Sequence, residues 1–349
     1  MTTTLISLPR PDDWHVHLRD EKILSAVLPG TARIFARAVV MPNLEQPITT
    51  ARRAVQYRSR IIAQLGPSPS FTPLMTCYLT DNTDPTDLCT GADGVFIAAK
   101  LYPAGVTTNS GDGVTDIAGL SRVFEAMQDH GMPLLIHGEV VDPDVDVFDS
   151  EAVFIDRILT PLCRRYPELR IVLEHVTTSD GVEFVQAQGS HIAATITPHH
   201  LMINRNAMFR GGLRPHFYCL PVAKRERHRQ ALRAAAVSGD PKFFLGTDSA
   251  PHFISAKENS CGCAGVYNAA TAMACYAQVF DEERCLDQLA GFAAHFGADF
   301  YGLGRNTETI TLRKTTALTR PADIEVGRER IRVFLPETPV HWELAANEN

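Results

Sequence analysis

The chain has 349 residues, 45% of them hydrophobic and 21% charged, which is ordinary for a folded globular protein and excludes disorder as the main state. With 33 Lys and Arg against 40 Asp and Glu, its net charge is −7, which argues against a nucleic-acid-binding surface. We expect a cytoplasmic protein with reduced thiols, because the sequence has no secretory signal, no Cys-x-x-Cys pair and no apolar run near the roughly 18 residues of a membrane span.

Eight short β-branched or apolar runs alternate with amphipathic segments from about residue 12 to residue 280. Several of these runs are apolar almost throughout, as is typical of parallel strands that are covered on both faces. The predicted strands are 14–18, 34–41, 72–79, 95–101, 133–137, 170–175, 192–197 and 243–247. Strands that alternate with helices in this way predict an α/β fold, a (β/α)8 TIM barrel rather than two doubly wound halves.

The segments between and after the strands contain helices with recognisable ends. These predicted helices run from Thr50 to about Leu65, over 117–131, from Asp149 or Ser150 onwards, over 223–237 and over 282–300. We expect residues 1–349 to form a single domain with its barrel core over about 10–280. The C-terminal extension over about 281–349 is expected to be helical at first and then irregular or strand-rich.

Ionisable and amide side chains follow the predicted strands at their C-terminal ends, where barrels of this kind carry their catalytic groups. They are His15, His17, Asn43, Lys100, His137, His175 and Asp248. Three strand ends with histidine, one with lysine and one with aspartate would meet at a single mouth of the barrel. This convergence, rather than any one residue, predicts a functional site.

His15 and His17 are separated by one residue at the first of these strand ends. Residues i and i+2 of a strand point to the same face, so both imidazoles could reach one metal ion while Val16 faces the other way. Two surface histidines are the simpler interpretation of an isolated His-x-His. The Arg19-Asp20 pair that follows, in a strand-to-loop context, favours metal binding.

His137 and His175 each end a buried apolar run. A lone histidine in such a place is more often a hydrogen-bonded structural residue than a metal ligand. Two of them on successive strands, in a barrel that already offers His-x-His, favour a metal site. Imidazole ligands suit zinc and also other divalent transition ions.

Lys100 ends the apolar run 95–99, where an ammonium would be badly desolvated and repelled by metal cations. It could instead point outward with its charge in solvent, or pair with an acid. A more specific hypothesis is that carbon dioxide converts its amine to a carbamate. A carbamate resembles a carboxylate and could bridge two metal ions.

Asp248 follows a buried apolar run, where an acid is costly unless it is paired or bound to metal. It could cap the next helix, but beside the histidines it completes a ligand set and could accept the proton of a metal-activated water. Cys261-Gly262-Cys263 has the wrong spacing for a structural zinc site, so we interpret it as a loop. No role is assigned to His199 or His200.

Several segments together resemble the single-domain bacterial dihydroorotases of the amidohydrolase superfamily. They are Asp13-Trp14-His15-Val16-His17-Leu18-Arg19, Met41-Pro42-Asn43, Lys100-Leu101-Tyr102-Pro103, Thr107-Thr108-Asn109-Ser110, His137-Gly138-Glu139, Glu174-His175, Gly246-Thr247-Asp248-Ser249-Ala250-Pro251-His252 and Cys261-Gly262-Cys263-Ala264-Gly265. The match runs in order from about residue 10 to residue 300. His-x-His alone would indicate only the superfamily, whereas the segments that begin at Lys100 and Thr107 narrow it to the dihydroorotases.

The resemblance implies two zinc ions in each subunit. His15, His17 and Asp248 would bind the first ion, and His137 and His175 the second, with carbamylated Lys100 and a hydroxide bridging them. For the substrate, the resemblance implies the following contacts. The carboxylate would be held by Arg19, Asn43 and His252, the ring by the backbone at Leu220 and Ala264, and a loop with Thr107 and Thr108 would close over the site that His17 and His137 also border.

The activity implied by the resemblance is the reversible cyclisation of N-carbamoyl-L-aspartate to (S)-dihydroorotate plus water in pyrimidine synthesis, with Asp248 as the proton shuttle. A small-molecule substrate and a homodimer are the partners it implies. Two alternatives remain open at this stage. One is another cyclic amidase of the superfamily, such as a hydantoinase or an allantoinase, although Arg19 and Asn43 favour an anionic substrate. The other is a non-catalytic barrel, which would be expected to have lost metal ligands.

Overall fold

The eight-stranded barrel is described by a computed structural model that covers residues 4–66, 70–91, 94–317 and 320–345. The strands are β1 (Leu5–Pro9), β2 (Asp12–Val16), β3 (Arg37–Val40), β4 (Thr72–Tyr78), β5 (Phe96–Leu101), β6 (Leu134–Ile136), β7 (Ile171–Leu173), β8 (Ile192–Ile196), β9 (Phe243–Leu245), β10 (Thr309–Lys314), β11 (Ile324–Val326), β12 (Glu329–Ile331) and β13 (Trp342–Leu344). Strands β2 to β9 form one sheet in chain order, and each neighbouring pair is parallel. The predicted (β/α)8 barrel is confirmed.

The barrel closes between the first and the last of these strands, just beyond their C-terminal ends. The Asp248 N–H donates to the His15 carbonyl at 2.8 Å, and the His17 N–H donates to the Ser249 carbonyl at 3.1 Å. Closure therefore brings the His-x-His segment at the end of β2 directly beside Asp248, although more than 200 residues separate them in the chain.

Helices cover the outside of the barrel. They are α1 (Glu21–Ile34), α2 (Ala51–Gln64), α3 (Pro85–Thr90), α4 (Ser121–Asp129), α5 (Ser150–Phe154), α6 (Thr160–Arg165), α7 (Ser179–Ala187), α8 (Pro198–Met202), α9 (Glu226–Val237), α10 (Ile254–Lys257), α11 (Ala272–Glu282) and α12 (Phe296–Phe300). A π-helical turn joins α5 to α6, and another precedes α12. Thr50 caps α2 as predicted, because its side chain accepts from the Arg53 N–H at 3.4 Å.

All eight predicted strands differ in their bounds from the structure, and two of them begin two or more residues away from the predicted start. The strand predicted at 34–41 begins only at Arg37, because Ile34 is the last residue of α1 and Phe35 caps that helix. The strand predicted at 14–18 spans Asp12–Val16 instead. His17 lies just past its end, where the chain bonds across to β9.

The alternation of side chains along the strands separates an inner core from an outer one. The inner core contains Trp14, Val39, Ala98, Leu135, Val172, Ala193 and Phe244, whereas the neighbouring residues of the same strands pack in the larger core with the helices. Tyr301 stacks on Trp14 with ring centroids 4.5 Å apart. A Cβ at Gly297 would lie 2.0 Å from the Trp14 indole nitrogen, so glycine is what allows α12 to approach this core.

The two ends of the chain meet in a second sheet outside the barrel. Strand β10 pairs antiparallel with β1 on one side and with β13 on the other. The extension is thus strand-rich after α12, whereas β1 was not predicted from the sequence. No helix in the described part of the chain is long and apolar enough to cross a membrane.

Candidate active site

Three side chains converge at the closure of the barrel. Asp248 Oδ1 lies 3.0 Å from His17 Nε2 and 3.3 Å from His15 Nε2, and the two histidine nitrogens are 3.2 Å apart. All three residues are buried. Two imidazole nitrogens and a carboxylate oxygen that point at one another in this way form a set of donor atoms suited to a divalent metal ion.

His137 and His175 lie on the other side of this cluster. The His175 ring is 4.7 Å from that of His137 and 5.0 Å from that of His15, centroid to centroid. The buried Nδ1 atom of His175 has no hydrogen-bond partner among the described residues. His175 and Asp248 both have a φ of +43°, a left-handed conformation that non-glycine residues rarely adopt and that often marks a functional site.

Glu174 is the acid that pairs with Lys100. The Lys100 Nζ atom donates to Glu174 Oε2, and both side chains are fully buried. Lys100 therefore does not point outward into solvent. Burial lowers the pKa of Lys100 and Glu174 opposes that shift, whereas burial raises the pKa of Glu174 but is outweighed by the charges of His15 and Lys100.

The protonation of the histidines fits metal ligation. Burial lowers the pKa of His17 to about 4, and it also lowers the pKa values of His137 and His175. Neutral imidazole is the form that binds a metal ion. For His15, burial lowers the pKa, but the carboxylates of Glu174 and Asp248 raise it to about 9, so this cluster stabilises a positive charge at its centre.

Two groups of potential metal ligands share His15. One group adds His17 and Asp248, and the other adds Glu174 and His175. Within each group, the ligand atoms lie within 4.8 Å of one another. His15 Nδ1 is 2.9 Å from Glu174 Oε1, but the two atoms are not in hydrogen-bond geometry. A metal ion would satisfy buried ligand atoms that lie close together and lack some of their hydrogen bonds. The residues present therefore fit a metal site.

Arg19 provides a buried positive charge beside this cluster. Its guanidinium bonds to the Pro251 carbonyl at 3.3 Å and to His252 Nε2 at 3.0 Å, and the Tyr57 hydroxyl donates to its carbonyl at 2.5 Å. In the described part of the chain, no carboxylate pairs with Arg19. A guanidinium that is 9% exposed and lacks a counterion fits an anionic ligand.

Asn43 connects the cluster to the loop that was expected to close over it. Its Oδ1 lies 2.9 Å from His17 Nδ1, and its Nδ2 donates to the Thr108 carbonyl at 3.0 Å. The Asn109 side chain returns a bond to the Asn43 carbonyl at 3.1 Å. The loop thus lies against the site, and the Thr107 and Thr108 hydroxyls have no hydrogen-bond partner among the described residues.

Most of the predicted site residues border one pocket. Its walls include His15, His17, Arg19, Asn43, Thr107, Thr108, His137, His175, Leu220, Asp248 and Ala264. Two predicted residues are not among its walls: Lys100 is fully buried, and His252 bonds to the Arg19 guanidinium at 3.0 Å. His199 and His200 are buried away from the pocket wall, where His199 bonds to Asn268 and His200 to Thr197.

Sequence reasoning gave no role to Asp13, Glu174 or Tyr102. Asp13 accepts hydrogen bonds from the N–H groups of His15 and Thr247, at 3.1 and 2.9 Å, and so ties together the two strand ends that close the barrel. Burial raises its pKa to about 7, although these bonds lower it. Tyr102 lines the pocket with a buried hydroxyl that has no partner among the described residues. Asp13 and Glu174 could have been singled out from the sequence, because each is an acid within or at the end of an apolar run.

A parallel barrel with buried histidines and an aspartate at the C-terminal ends of its strands is the architecture of a metal-dependent hydrolase. The profile of the amidohydrolase family matches residues 4–318. Curated relatives named dihydroorotase include one from Rhizobium etli, 54% identical over 98% of this chain and 99% of that protein, and one from a Synechococcus strain, 60% identical over 97% of each. The chain belongs to the amidohydrolase family and, within it, to the dihydroorotases.

Solved structures agree with this assignment. A dihydroorotase from Campylobacter jejuni is 34% identical and superposes with a TM-score of 0.89 over 99% of both chains. A dihydroorotase from Saccharomyces cerevisiae, solved in complex with 5-fluoroorotic acid, is 33% identical with a TM-score of 0.87 over 98% of both chains. An L-hydantoinase from Arthrobacter aurescens has a TM-score of 0.77 over 97% of this chain and 82% of its own, but at 16% identity it shows the shared fold alone.

Proposed function

We propose that this chain catalyses the reversible cyclisation of N-carbamoyl-L-aspartate to (S)-dihydroorotate plus water, as a step of pyrimidine synthesis. The observation that carries the proposal is the position of Arg19. Its buried guanidinium has no carboxylate partner among the described residues and lies beside Asn43 at the wall of the pocket with His15, His17 and Asp248. Both the substrate and the product have a carboxylate that could supply the missing counterion.

We propose that the site holds two zinc ions. His15, His17 and Asp248 would hold one, His137 and His175 the other, and Lys100, as a carbamate, would bridge them. When bound, such ions polarise a carbonyl group and acidify water. The support is the buried donor set and the lowered pKa values of His17, His137 and His175, which favour neutral imidazole.

The carbamate would form when the neutral amine of Lys100 adds to carbon dioxide, with a new N–C bond and the release of one proton. The complete burial of Lys100 supports this step, because burial favours the neutral amine over the ammonium. Glu174 is the counterion of the ammonium form, so it holds the side chain in the same place before the reaction.

Asp248 is proposed as the proton carrier. In the hydrolytic direction it takes the proton that the attacking water loses and delivers it to the ring nitrogen as the C–N bond breaks. In the synthetic direction it takes the proton from that nitrogen as the C–N bond forms and delivers it to the oxygen that leaves as water when the C–O bond breaks. Asp248 is ionised and so has a free oxygen to accept a proton, because the charges and hydrogen bonds of His15 and His17 outweigh burial and hold its pKa well below its usual value.

The other contacts orient the substrate. Arg19, Asn43 and His252 would hold the carboxylate, the backbone at Leu220 and Ala264 would contact the ring, and His17 and His137 would border it. Thr107 and Thr108 would close over it and exclude water. The contacts of Asn43 with both His17 and Thr108 support a link between the ligand cluster and this loop.

Turnover of dihydroorotate and of hydantoin, measured with metal analysis on the same preparation, tests the proposal. We expect two zinc ions per chain and dihydroorotate turnover that exceeds hydantoin turnover at least about 100-fold. In Arg19→Met, dihydroorotate turnover should fall while any hydantoin turnover stays, because hydantoin has no carboxylate. Equal turnover of both would indicate another cyclic amidase, and metallated protein without turnover would indicate a non-catalytic barrel.

We also propose that the protein is a cytoplasmic homodimer and that residues 1–349 form one domain, with the barrel core over about 10–280 and the extension over 281–349. The eight free thiols support a reducing compartment. The pairing of β1 with β10 supports one domain, because it joins both ends of the chain. Light scattering on the purified protein tests the dimer, and a single unfolding transition tests the domain.

A further inference from the structure

Lys257, at the C-terminal end of α10, has a buried side chain that the proposed reaction does not use. Its Nζ atom donates to three backbone carbonyls, those of Tyr218 at 3.1 Å, Cys263 at 2.8 Å and Gly265 at 2.6 Å. An ammonium has three N–H donors, so this set uses all of them. No carboxylate pairs with Lys257 in the described ranges, and the side chain is 5% exposed.

The three carbonyls belong to two separate segments of the pocket wall. Tyr218 lies two residues before Leu220, and Cys263 and Gly265 flank Ala264. Leu220, Ala264 and Gly265 all line the candidate site. Lys257 therefore cross-links two segments of the chain that contribute to the pocket wall.

These two segments also have features of a built binding surface. Neither the Leu220 N–H nor the Ala264 N–H donates to a backbone acceptor among the described residues. The Gly265 N–H donates to the Tyr218 carbonyl at 3.1 Å, so the ammonium and one amide share that acceptor. The two segments are thus joined to each other while their neighbouring N–H groups stay available.

Gly265 shows how closely this wall is packed from its other side. Its φ is +137°, and a Cβ there would lie 2.9 Å from the Ala250 Cβ and 3.0 Å from the His252 ring. The segment that contains Ala264 is consequently held between the residues after β9 on one side and Lys257 on the other. Loss of the Lys257 bonds would therefore release this segment on one side while its contacts with Ala250 and His252 remain.

The chemistry of Lys257 supports a structural charge rather than a reacting one. Burial lowers its pKa to about 8, and the nearby thiols of Cys219 and Cys263 oppose that shift. The ammonium form is therefore present at neutral pH and is stabilised by carbonyl dipoles. Hydrogen bonds with a charged donor are roughly twice as strong as neutral ones, so three of them hold the carbonyls firmly.

We propose that Lys257 is a positioning residue for the substrate ring, because its three hydrogen bonds set the distance between the Leu220 and Ala264 backbones that contact the ring. This inference rests on the proposed function, which places those two backbone segments at the ring. Lys257 itself does not touch the substrate. Its loss should weaken ring binding while the carboxylate contacts of Arg19 and the metal ligands remain.

The chain contains a matched control for this role. The Nζ atom of Lys242 donates to the carbonyls of Val185, Gln186 and Gln188, at 3.0, 2.8 and 3.1 Å. Lys242 immediately precedes β9, at the end of the barrel opposite to the site. Lys257→Met and Lys242→Met therefore remove the same kind of interaction, but only the first removes it from the pocket wall.

The test compares both variants with the wild type in zinc content, thermal unfolding, steady-state kinetics with dihydroorotate and affinity for 5-fluoroorotate. Both variants should lower Tm and keep the metal. Only Lys257→Met should raise KM and the Kd of 5-fluoroorotate, each about tenfold, which is about the effect of weakening one or two hydrogen bonds to a ligand. Its kcat should change less than its KM.

Lys257→Gln provides a second variant, since its amide can still donate to two carbonyls. If Lys257→Met does not fold, Lys257→Gln should still raise both KM and Kd, but by a smaller factor. Unchanged KM and Kd in a folded Lys257 variant would overturn the inference, and so would rises of equal size in KM and Kd in Lys242→Met. In either case, turnover of dihydroorotate by the wild type would leave the proposed function intact. Wild-type protein that neither turns over dihydroorotate nor binds 5-fluoroorotate would overturn the function and this inference together.

Discussion

Lys100 and Glu174 form an ion pair in the middle of the barrel, where neither side chain has any exposed surface. The pair joins β5 to the residue after β7, and the other carboxylate oxygen of Glu174 lies 2.9 Å from His15 Nδ1. Glu174 thus contacts both the proposed bridging residue and a proposed metal ligand. Removal of either member leaves a buried charge without its partner, and this determines how variants of Lys100 must be controlled.

Lys100→Ala should lose zinc and activity, because the proposed bridging carbamate cannot form. When both proteins are compared without metal, so that wild-type Lys100 is an ammonium, Lys100→Ala should also lower the free energy of unfolding by about 3–5 kcal/mol, since Glu174 loses its partner. The double variant Lys100→Ala with Glu174→Gln should recover stability but not zinc. Acetate added to Lys100→Ala should restore part of the activity, and two bound zinc ions with near-normal turnover in Lys100→Ala would contradict the bridging role.

Asp248→Asn should fold and yet lose most of kcat, because an amide cannot carry the proton between water and the ring nitrogen. The loss should be on the order of 100-fold or more, within the range for a general acid–base group. Zinc content must be measured on the same sample, since Asp248 is also a proposed ligand. Substantial turnover by a fully metallated Asp248→Asn would remove the proton-transfer role.

Thr107→Ala combined with Thr108→Ala should keep both metal ions but lower kcat/KM on the order of 100-fold, about the effect of losing a preorganised donor. The reason is that both residues line the pocket and their hydroxyls have no hydrogen-bond partner among the described residues. Thr115→Ala is the control, because the Thr115 hydroxyl bonds to Asp81 at 2.6 Å, farther along the same segment. It should change stability slightly and kinetics not at all, and unchanged kinetics in the double variant would indicate an ordinary surface loop.

Arg19→Met should affect stability and activity in opposite directions. The free energy of unfolding should stay the same or rise, because a buried guanidinium without a carboxylate partner is costly to desolvate. The kcat/KM for dihydroorotate should fall on the order of 100-fold or more, as expected when a charged hydrogen bond to the substrate is lost. Denaturant unfolding and kinetics on one preparation check both signs, and a clear loss of stability would show that Arg19 is mainly structural.

Glu226 permits a test of pH-dependent stability away from the site. Hydrogen bonds from Arg229 are the largest cause that lowers the pKa of Glu226 from 4.5 to about 2, and Asn204 adds to it. A lowered carboxyl pKa stabilises the folded state above about pH 4.5, and that stability disappears as the pH falls toward 2. The difference in unfolding free energy between wild type and Glu226→Gln should therefore shrink from pH 5 to pH 2, and a constant difference would contradict this account.

The pattern of residues along the chain was sufficient to predict the barrel. Each run such as 133–137 or 170–175 is an apolar segment whose length and position indicate a covered parallel strand. Because the strands of such a barrel end at one mouth, His137 and His175 could be expected to lie together before any contact was known. Local periodicity and chain order suffice for both inferences, and the roles of these residues stay predictions.

The tertiary structure alone decided the pairings between distant residues. The contact of Lys100 with Glu174 spans 74 positions, and the pairing of β1 with β10 spans about 300. A short strand such as β1 has no pattern that identifies its partner, because it gains its hydrogen bonds only after the barrel has brought both ends of the chain together. The same holds for Lys257, whose sequence neighbours say nothing about the Tyr218 carbonyl. The sequence by itself determined where each strand lies in the chain and which ionisable residues lie near its C-terminal end, whereas closure of the barrel decided which of them touch, because hydrogen bonds and ion pairs depend on distances that folding alone sets.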